Sequence, residues 1–195
     1  MKRKCVMFQG ISGCGKGTQA ALLQEFLDSS TSYSTFVMEA GHGFRSFLSH
    51  DSYMAEVASE VTENGGFQPT FMSVWNWTNI LINEMKKDQH IIFDGSPRQV
   101  AEPSIVDDLW EYLGHHETVY VFYIKILDDT ARDRLRSRAR HDNDPQIIEN
   151  RLKNFKEASK SILAYYTQHA RYTFVEIDGE QTIEEIHEEI KRIIA

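Results

Sequence analysis

The sequence predicts an α/β fold in which a five-stranded parallel sheet lies between layers of helix. Two observations predict it. Five short runs of β-branched and aromatic residues recur along the chain at 5–8, 35–38, 90–93, 119–126 and 172–177, almost without polar alternation. Strands buried on both faces read this way, whereas a half-solvated strand alternates. The segments between the runs carry helical periodicity, and strands alternating with helices build parallel βαβ units. The 195 residues are enough for one well-buried core.

The first run, CVMF, leads into GISGCGKGTQ at 10–19, where four glycines, a lysine and a threonine share ten positions. The spacing G-x-x-x-x-G-K runs from Gly10 to Gly15 and Lys16. Several backbone N–H groups can converge on one phosphate only where side chains do not obstruct, and the following helix adds the positive end of its dipole. Lys16 is placed to reach the β and γ phosphates. Gly17 takes the place where a hydroxyl usually follows the lysine, and Thr18 comes next. Cys14 is read as a small residue tolerated in the loop. Ala20, Leu23 and Leu27 then give the helix over 17–27 its apolar positions.

The second run, TFVM, opens a helix-rich insert over 41–88, and HIIF at 90–93 is followed by Asp94 and Gly95. A carboxylate ending a buried strand opposite a phosphate loop can hold waters of a magnesium ion. VYVFYIKI at 119–126 precedes a second insert over 129–170, whose stretch RDRLRSRAR at 132–140 is strongly basic. YTFVEI at 172–177 is the last strand. In the closing helix, Ile183, Ile186, Ile190 and Ile193 form one stripe, with Thr182 as cap and Glu185 three residues later completing a capping box.

Composition narrows the function classes. The net charge of −8 argues against nucleic acid, which favours a basic excess, but leaves room for a small anionic ligand met by local arginines. The longest apolar runs fall far short of a membrane span. Two cysteines, Cys5 and Cys14, cannot build a disulfide framework. The N-terminus lacks the long apolar region of a signal peptide, so the expected location is cytoplasmic.

The loop, read as G-x-x-G-x-G-K-G-T, resembles that of adenylate kinase and its nucleoside monophosphate (NMP) kinase relatives. FDGSPR at 93–98 is similar to their D-G-[FY]-P-R, EAGHGFR at 39–45 to S-[TA]-G-[DE]-x-x-R, GGFQP at 65–69 to G-x-x-[VI]-P, and RARHDND through Arg151 to the lid motif R-G-R-x-D-D-x…R. The motifs keep the family order over nearly the whole chain. The resemblance implies a single P-loop three-layer domain over 1–195, with a helical NMP-binding subregion at about 41–70 and a short lid at about 136–146. It implies transfer of the γ-phosphoryl group of Mg-ATP to an NMP, most simply AMP, by a monomer.

By resemblance, Gly13, Cys14, Gly15, Lys16, Gly17, Thr18 and Arg134 would hold ATP. Ala40, Gly41, Arg45, Gly95, Arg98, Glu102, Arg140 and Arg151 would hold the NMP. Lys16, Arg98, Arg138, Arg140 and Arg151 would act in transfer, Asp94 would hold magnesium through water, and Asp142 is a second candidate. Arg132 and Arg136 are left as solvated charges. Ala40, His42, Ser96 and Glu102 depart from the adenylate pattern. Glu102, aligned with a base-reading glutamine, would accept from the amine of AMP, CMP or GMP and disfavour UMP. Two readings of these departures stand, a changed acceptor and neutral drift around adenine. CMP or GMP kinase and a weakly transferring regulatory binder are the alternatives.

Overall fold

The computed structural model describes residues 2–115, 117–137 and 144–195. Its elements run β1 (Cys5–Gln9), α1 (Lys16–Ser30), β2 (Thr35–Glu39), α2 (Ala40–Leu48), α3 (Tyr53–Glu63), α4 (Thr70–Glu84), β3 (His90–Asp94), α5 (Glu102–Tyr112), β4 (Val119–Lys125), α6 (Asp128–Arg136), α7 (Pro145–Gln168), β5 (Tyr172–Asp178) and α8 (Ile183–Ile194). The five strands pair in the order β2-β3-β1-β4-β5, all parallel. Each of the five apolar runs is a strand. In β1, Val6 and Phe8 enter one core and Cys5 and Met7 the other, so both faces of the central strand are buried. That is why the run shows no alternation.

One core is closed by α1 and α8, with Leu23 and Leu27 meeting Ile186, Ile190 and Ile194. The capping box at Thr182 and Glu185 starts α8. The other core is closed by α4 and α5 around Trp77, Phe93 and Trp110. Helix α7 serves both, with Ile148 and Leu152 in the first and Ile162 and Tyr166 in the second.

The insert over 41–88 holds α2, α3 and α4. Trp77 of VWNW is buried, while Trp75 stays partly exposed and meets the ring of Phe47 edge-on at 4.9 Å. In the second insert Arg132 keeps contact with solvent and is ion-paired at the surface as well. It bonds Asp129 at 2.7 Å and reaches both oxygens of Glu149, at 2.5 and 3.0 Å, tying α6 to α7. The i, i+3 acid was visible in the sequence, but the partner 17 residues away was not. Arg136 is exposed and lies 3.9 Å from Asp133. The connection from β1 runs to one side of the sheet and that from β3 crosses to the other. The carboxyl ends of β1, β3 and β4 therefore form the crevice where such sheets bind ligands.

Candidate active site

The loop leaving β1 wraps back on itself before α1. Gly10 takes φ 145°, and a Cβ there would stand 2.5 Å from both Cys14 Sγ and the Ile124 carbonyl oxygen, so only glycine fits. Gly15 caps α1 in the left-handed region at φ 102°. No side chain caps that N-terminus, and no acid sits in its first turn. Its orphan N–H groups and positive dipole end are left for an external anion. The Lys16 ammonium donates to the carbonyls of Gly10 at 2.7 Å and Ile11 at 3.0 Å, with Cys14 Sγ at 3.5 Å. Gly17 and Thr18 are exposed at the helix start, whereas Gly13 and Cys14 are buried beneath it.

Asp94 ends β3 in register with Phe8 of β1 and Glu39 of β2. Its Oδ2 lies 3.2 Å from the place of a Gly17 Cβ, so the carboxylate faces the first turn of α1. No cluster of three or more metal-ligating side chains occurs among the described residues. One carboxylate beside a phosphate site is nonetheless the donor set that suits magnesium, which keeps most of its waters and takes its other ligands from the nucleotide.

Past Asp94 the chain turns through Gly95, Ser96 and Pro97 to Arg98, whose Nε donates to the Gly95 carbonyl at 2.5 Å. Arg98 opens to solvent through the mouth of the cleft, yet protein crowds its guanidinium on the inner side. That burial pulls its pKa down, Asp94 and Glu102 oppose the shift, and the like charges of Arg151 and Arg45 add to it. The guanidinium remains charged at any working pH.

A cavity of about 210 Å³ is lined by Ala40, Gly41, Arg45, Arg98 and Arg151 together with Ser12 of the loop. Arginines from α2, the β3–α5 turn and α7 thus converge on it. A smaller cavity, about 30 Å³, is lined by Gly10, Lys16, Gly95 and Arg98. Ser12 and Arg98 line both, which joins the lysine side of the cleft to the arginine side. Arg134 lies apart from these cavities, its guanidinium donating to the Gly179 carbonyl at 3.2 Å beside the β5–α8 turn. Arg138, Arg140 and Asp142 lie outside the described residues.

Glu102 does not line the cavity. It is fully buried, and its Oε1 accepts from the backbone N–H of Arg98 at 3.0 Å and of Gln99 at 2.7 Å. Its Oε2 accepts from Trp77 Nε1 at 3.1 Å, and the Ser73 hydroxyl is a further donor. Burial raises its pKa against these four donors. In this conformation the carboxylate fastens the Arg98 turn to α4. Spacing could not show this, because the partner Trp77 comes from another element.

Thr62, Gln68, Ser73, Asn76 and Gln99, to which motif reading gave no role, also line the polar wall of the cavity. A signal was present for two of them, since Ser73 and Asn76 sit three apart in the otherwise apolar TFMSVWNW, one helical face turned away from a hydrophobic contact. Ser96 is buried and lines the cavity, with its carbonyl accepting from Gln9 Nε2 at 3.1 Å, and His42 is exposed on α2.

A family model described as adenylate kinase matches residues 8–171. The adenylate kinase of Nautilia profundicola is 30% identical over 194 residues, covering 98% of this chain and 96% of that protein. Those of Azobacteroides pseudotrichonymphae and Prochlorococcus marinus strain MIT 9515 are each 26% identical, over 93% and 99% of this chain and 92% and 100% of their own lengths. The match spans both the glycine loop after β1 and the arginines around the larger cavity.

Proposed function

The chain belongs to the adenylate kinase family, and from that premise we propose that it transfers the γ-phosphoryl group of Mg-ATP to AMP within the cleft described above. It is a nucleoside monophosphate kinase that binds ATP and an NMP. The observation that carries the assignment to this cleft is that Arg98 and Ser12 line both cavities. A donor phosphate on the Lys16 side then meets an acceptor phosphate on the arginine side without leaving protein cover.

An oxygen of the acceptor phosphate bonds to the γ-phosphorus as the bond to the β–γ bridging oxygen breaks, leaving ADP on both sides. No protein nucleophile is needed, so the residues contribute position and charge. The uncapped start of α1, with Gly13, Cys14, Gly15, Gly17 and Thr18 around it, cradles the donor phosphates. Lys16 exchanges the two loop carbonyls for phosphate oxygens. Arg45 and Arg98 hold the acceptor phosphate over Ala40, Gly41 and Gly95, and Arg151 neutralises the transferred group. By the family resemblance, Arg138 and Arg140, which lie outside the described residues, would add to this neutralisation, and Arg134 would rest against the donor base. Asp94 would hold magnesium through its waters, with Asp142 a second carboxylate; the metal supplies further neutralisation of phosphate charge.

We place the enzyme in the cytoplasm as a monomer. Both cysteines are free, which suits a reducing compartment. No helix among the described residues is long and apolar enough to cross a membrane.

The test is ADP formation from Mg-ATP and AMP by the purified protein. Steady turnover with two ADP formed per AMP consumed is expected, together with a loss of roughly a hundredfold or more in kcat for Lys16→Ala, on the scale of removing one preorganised donor at a reacting centre. Binding of ATP without transfer to AMP would overturn the assignment.

A further inference from the structure

Strand β1 ends in a side-chain amide, Gln9. Its pairing with β3 stops at Phe8 opposite Asp94, while its pairing with β4 runs one residue further, to Gln9 opposite Tyr123. On the β3 side the chain has by then turned away at Gly95, which takes φ 80°. The Gln9 side chain spans that divergence. Its Nε2 donates to the Ser96 carbonyl at 3.1 Å, and both residues are buried. By strand parity Gln9 falls on the face of Cys5 and Met7, which is core. An amide on that face is costly unless its hydrogen bonds are met, and here it meets the turn that carries Arg98.

The cations on the two sides of the cleft rest on carbonyls adjacent to this bond. Lys16 donates to the carbonyl of Gly10, the residue after Gln9. Arg98 donates to the carbonyl of Gly95, the residue before Ser96. Gln9 lines the smaller cavity together with Lys16, Gly95 and Arg98. Glu102 fastens the far end of the turn through the N–H groups of Arg98 and Gln99. Gln9 fastens the near end, and does so to the strand that feeds the phosphate loop.

We propose that Gln9 is a positioning residue for phosphoryl transfer, holding the Arg98 turn in register with the phosphate loop through the Ser96 carbonyl. This role rests on the reading of the cleft as the kinase site. Each nucleotide is gripped by groups on its own side, so neither needs the bond in order to bind. In-line transfer also needs the two sides correctly spaced, and a misplacement of about 1 Å can cost roughly a hundredfold in rate. Loss of the bond therefore falls on kcat and spares KM.

The experiment compares the intact enzyme with Gln9→Met, which keeps the length of the side chain and removes the donor. Gln9→Leu, whose apolar chain suits a buried strand end, is a second variant with the same expected outcome. Each kcat is taken per ATP-binding site counted by calorimetric titration, so unfolded protein does not enter. With Mg-ATP and AMP, kcat per site should fall about tenfold or more, while KM for each nucleotide stays within about threefold of wild type. A kcat per site within about threefold of wild type in both variants would overturn the inference and leave the kinase assignment standing. A loss of kcat matched by an equal rise in either KM would overturn it too, since that marks a loosened site and not a lost register. Wild-type protein that transfers nothing to AMP would overturn the kinase assignment and the inference together.

Discussion

Replacing Glu102 by glutamine separates two roles for the same residue. In wild-type protein its Oε1 serves two loop N–H groups and its Oε2 serves Trp77 Nε1. A glutamine that keeps its oxygen on the loop turns its NH₂ toward the indole N–H across a gap that was 3.1 Å. Ser73 can rotate and accept, but the indole donor loses a charged acceptor, at a cost of ~2–3 kcal/mol. Burial raises the pKa of Glu102, so its charged form is already penalised, and a neutral amide recovers part of that. The net loss is then ~1–2 kcal/mol, or about 3–6 °C in Tm for a chain of this size. Trp77→Phe in the same background removes the donor–donor conflict, so the double variant should lose less than the sum of the singles by ~1 kcal/mol. The assay is urea and thermal unfolding of the four proteins, with acceptor kinetics run on each. An acceptor KM within about threefold of wild type is expected, because the carboxylate does not face the cavity. Wild-type stability combined with a KM raised tenfold or more would refute the anchoring role and return Glu102 to reading the base.

Arg98→Lys should behave much like Arg98→Ala, with kcat/KM down ~100-fold or more, because an ammonium cannot span both cavities with a planar fork; near-normal kinetics for the lysine variant would contradict that. Gly10→Ala should cost ~2–4 kcal/mol from the clash with a backbone carbonyl and from strain at positive φ, read as a lower urea midpoint. His90 is fully buried, with Nδ1 accepting from the Lys4 N–H at 2.9 Å and Nε2 bonded to Thr31 at 2.8 Å. Burial lowers its pKa from the ordinary 6.5, with Lys4 adding to the shift and Asp28 opposing it. The fold therefore prefers the neutral ring, the unfolded chain binds the extra proton, and stability falls as pH drops below about 6.5. Urea midpoints at pH 7.5 and 5.5 should diverge in wild type and converge in His90→Gln; an equal slope in both would assign the loss to other groups.

Strand positions, the phosphate loop and the final helix were legible in the sequence because each depends on local rules. Burial on both faces writes a continuous apolar run, a phosphate cradle needs glycine at fixed offsets, and a capping box spans four residues. The convergence of Arg45, Arg98 and Arg151 followed only from motif order, since they stand on three separate elements. What the tertiary structure alone decided was the direction in which side chains spend their hydrogen bonds. Glu102 sits at the sequence position of a base reader, yet Trp77, 25 residues away, and two turn amides claim its oxygens. Gln68 stands at a position the turn motif leaves apolar and Gln99 in no motif, yet both amide nitrogens are held by main-chain carbonyls that the sequence does not reveal. A residue's type sets what it can donate or accept. Which of those capacities remains for a ligand depends on neighbours that only the folded chain brings within 3 Å.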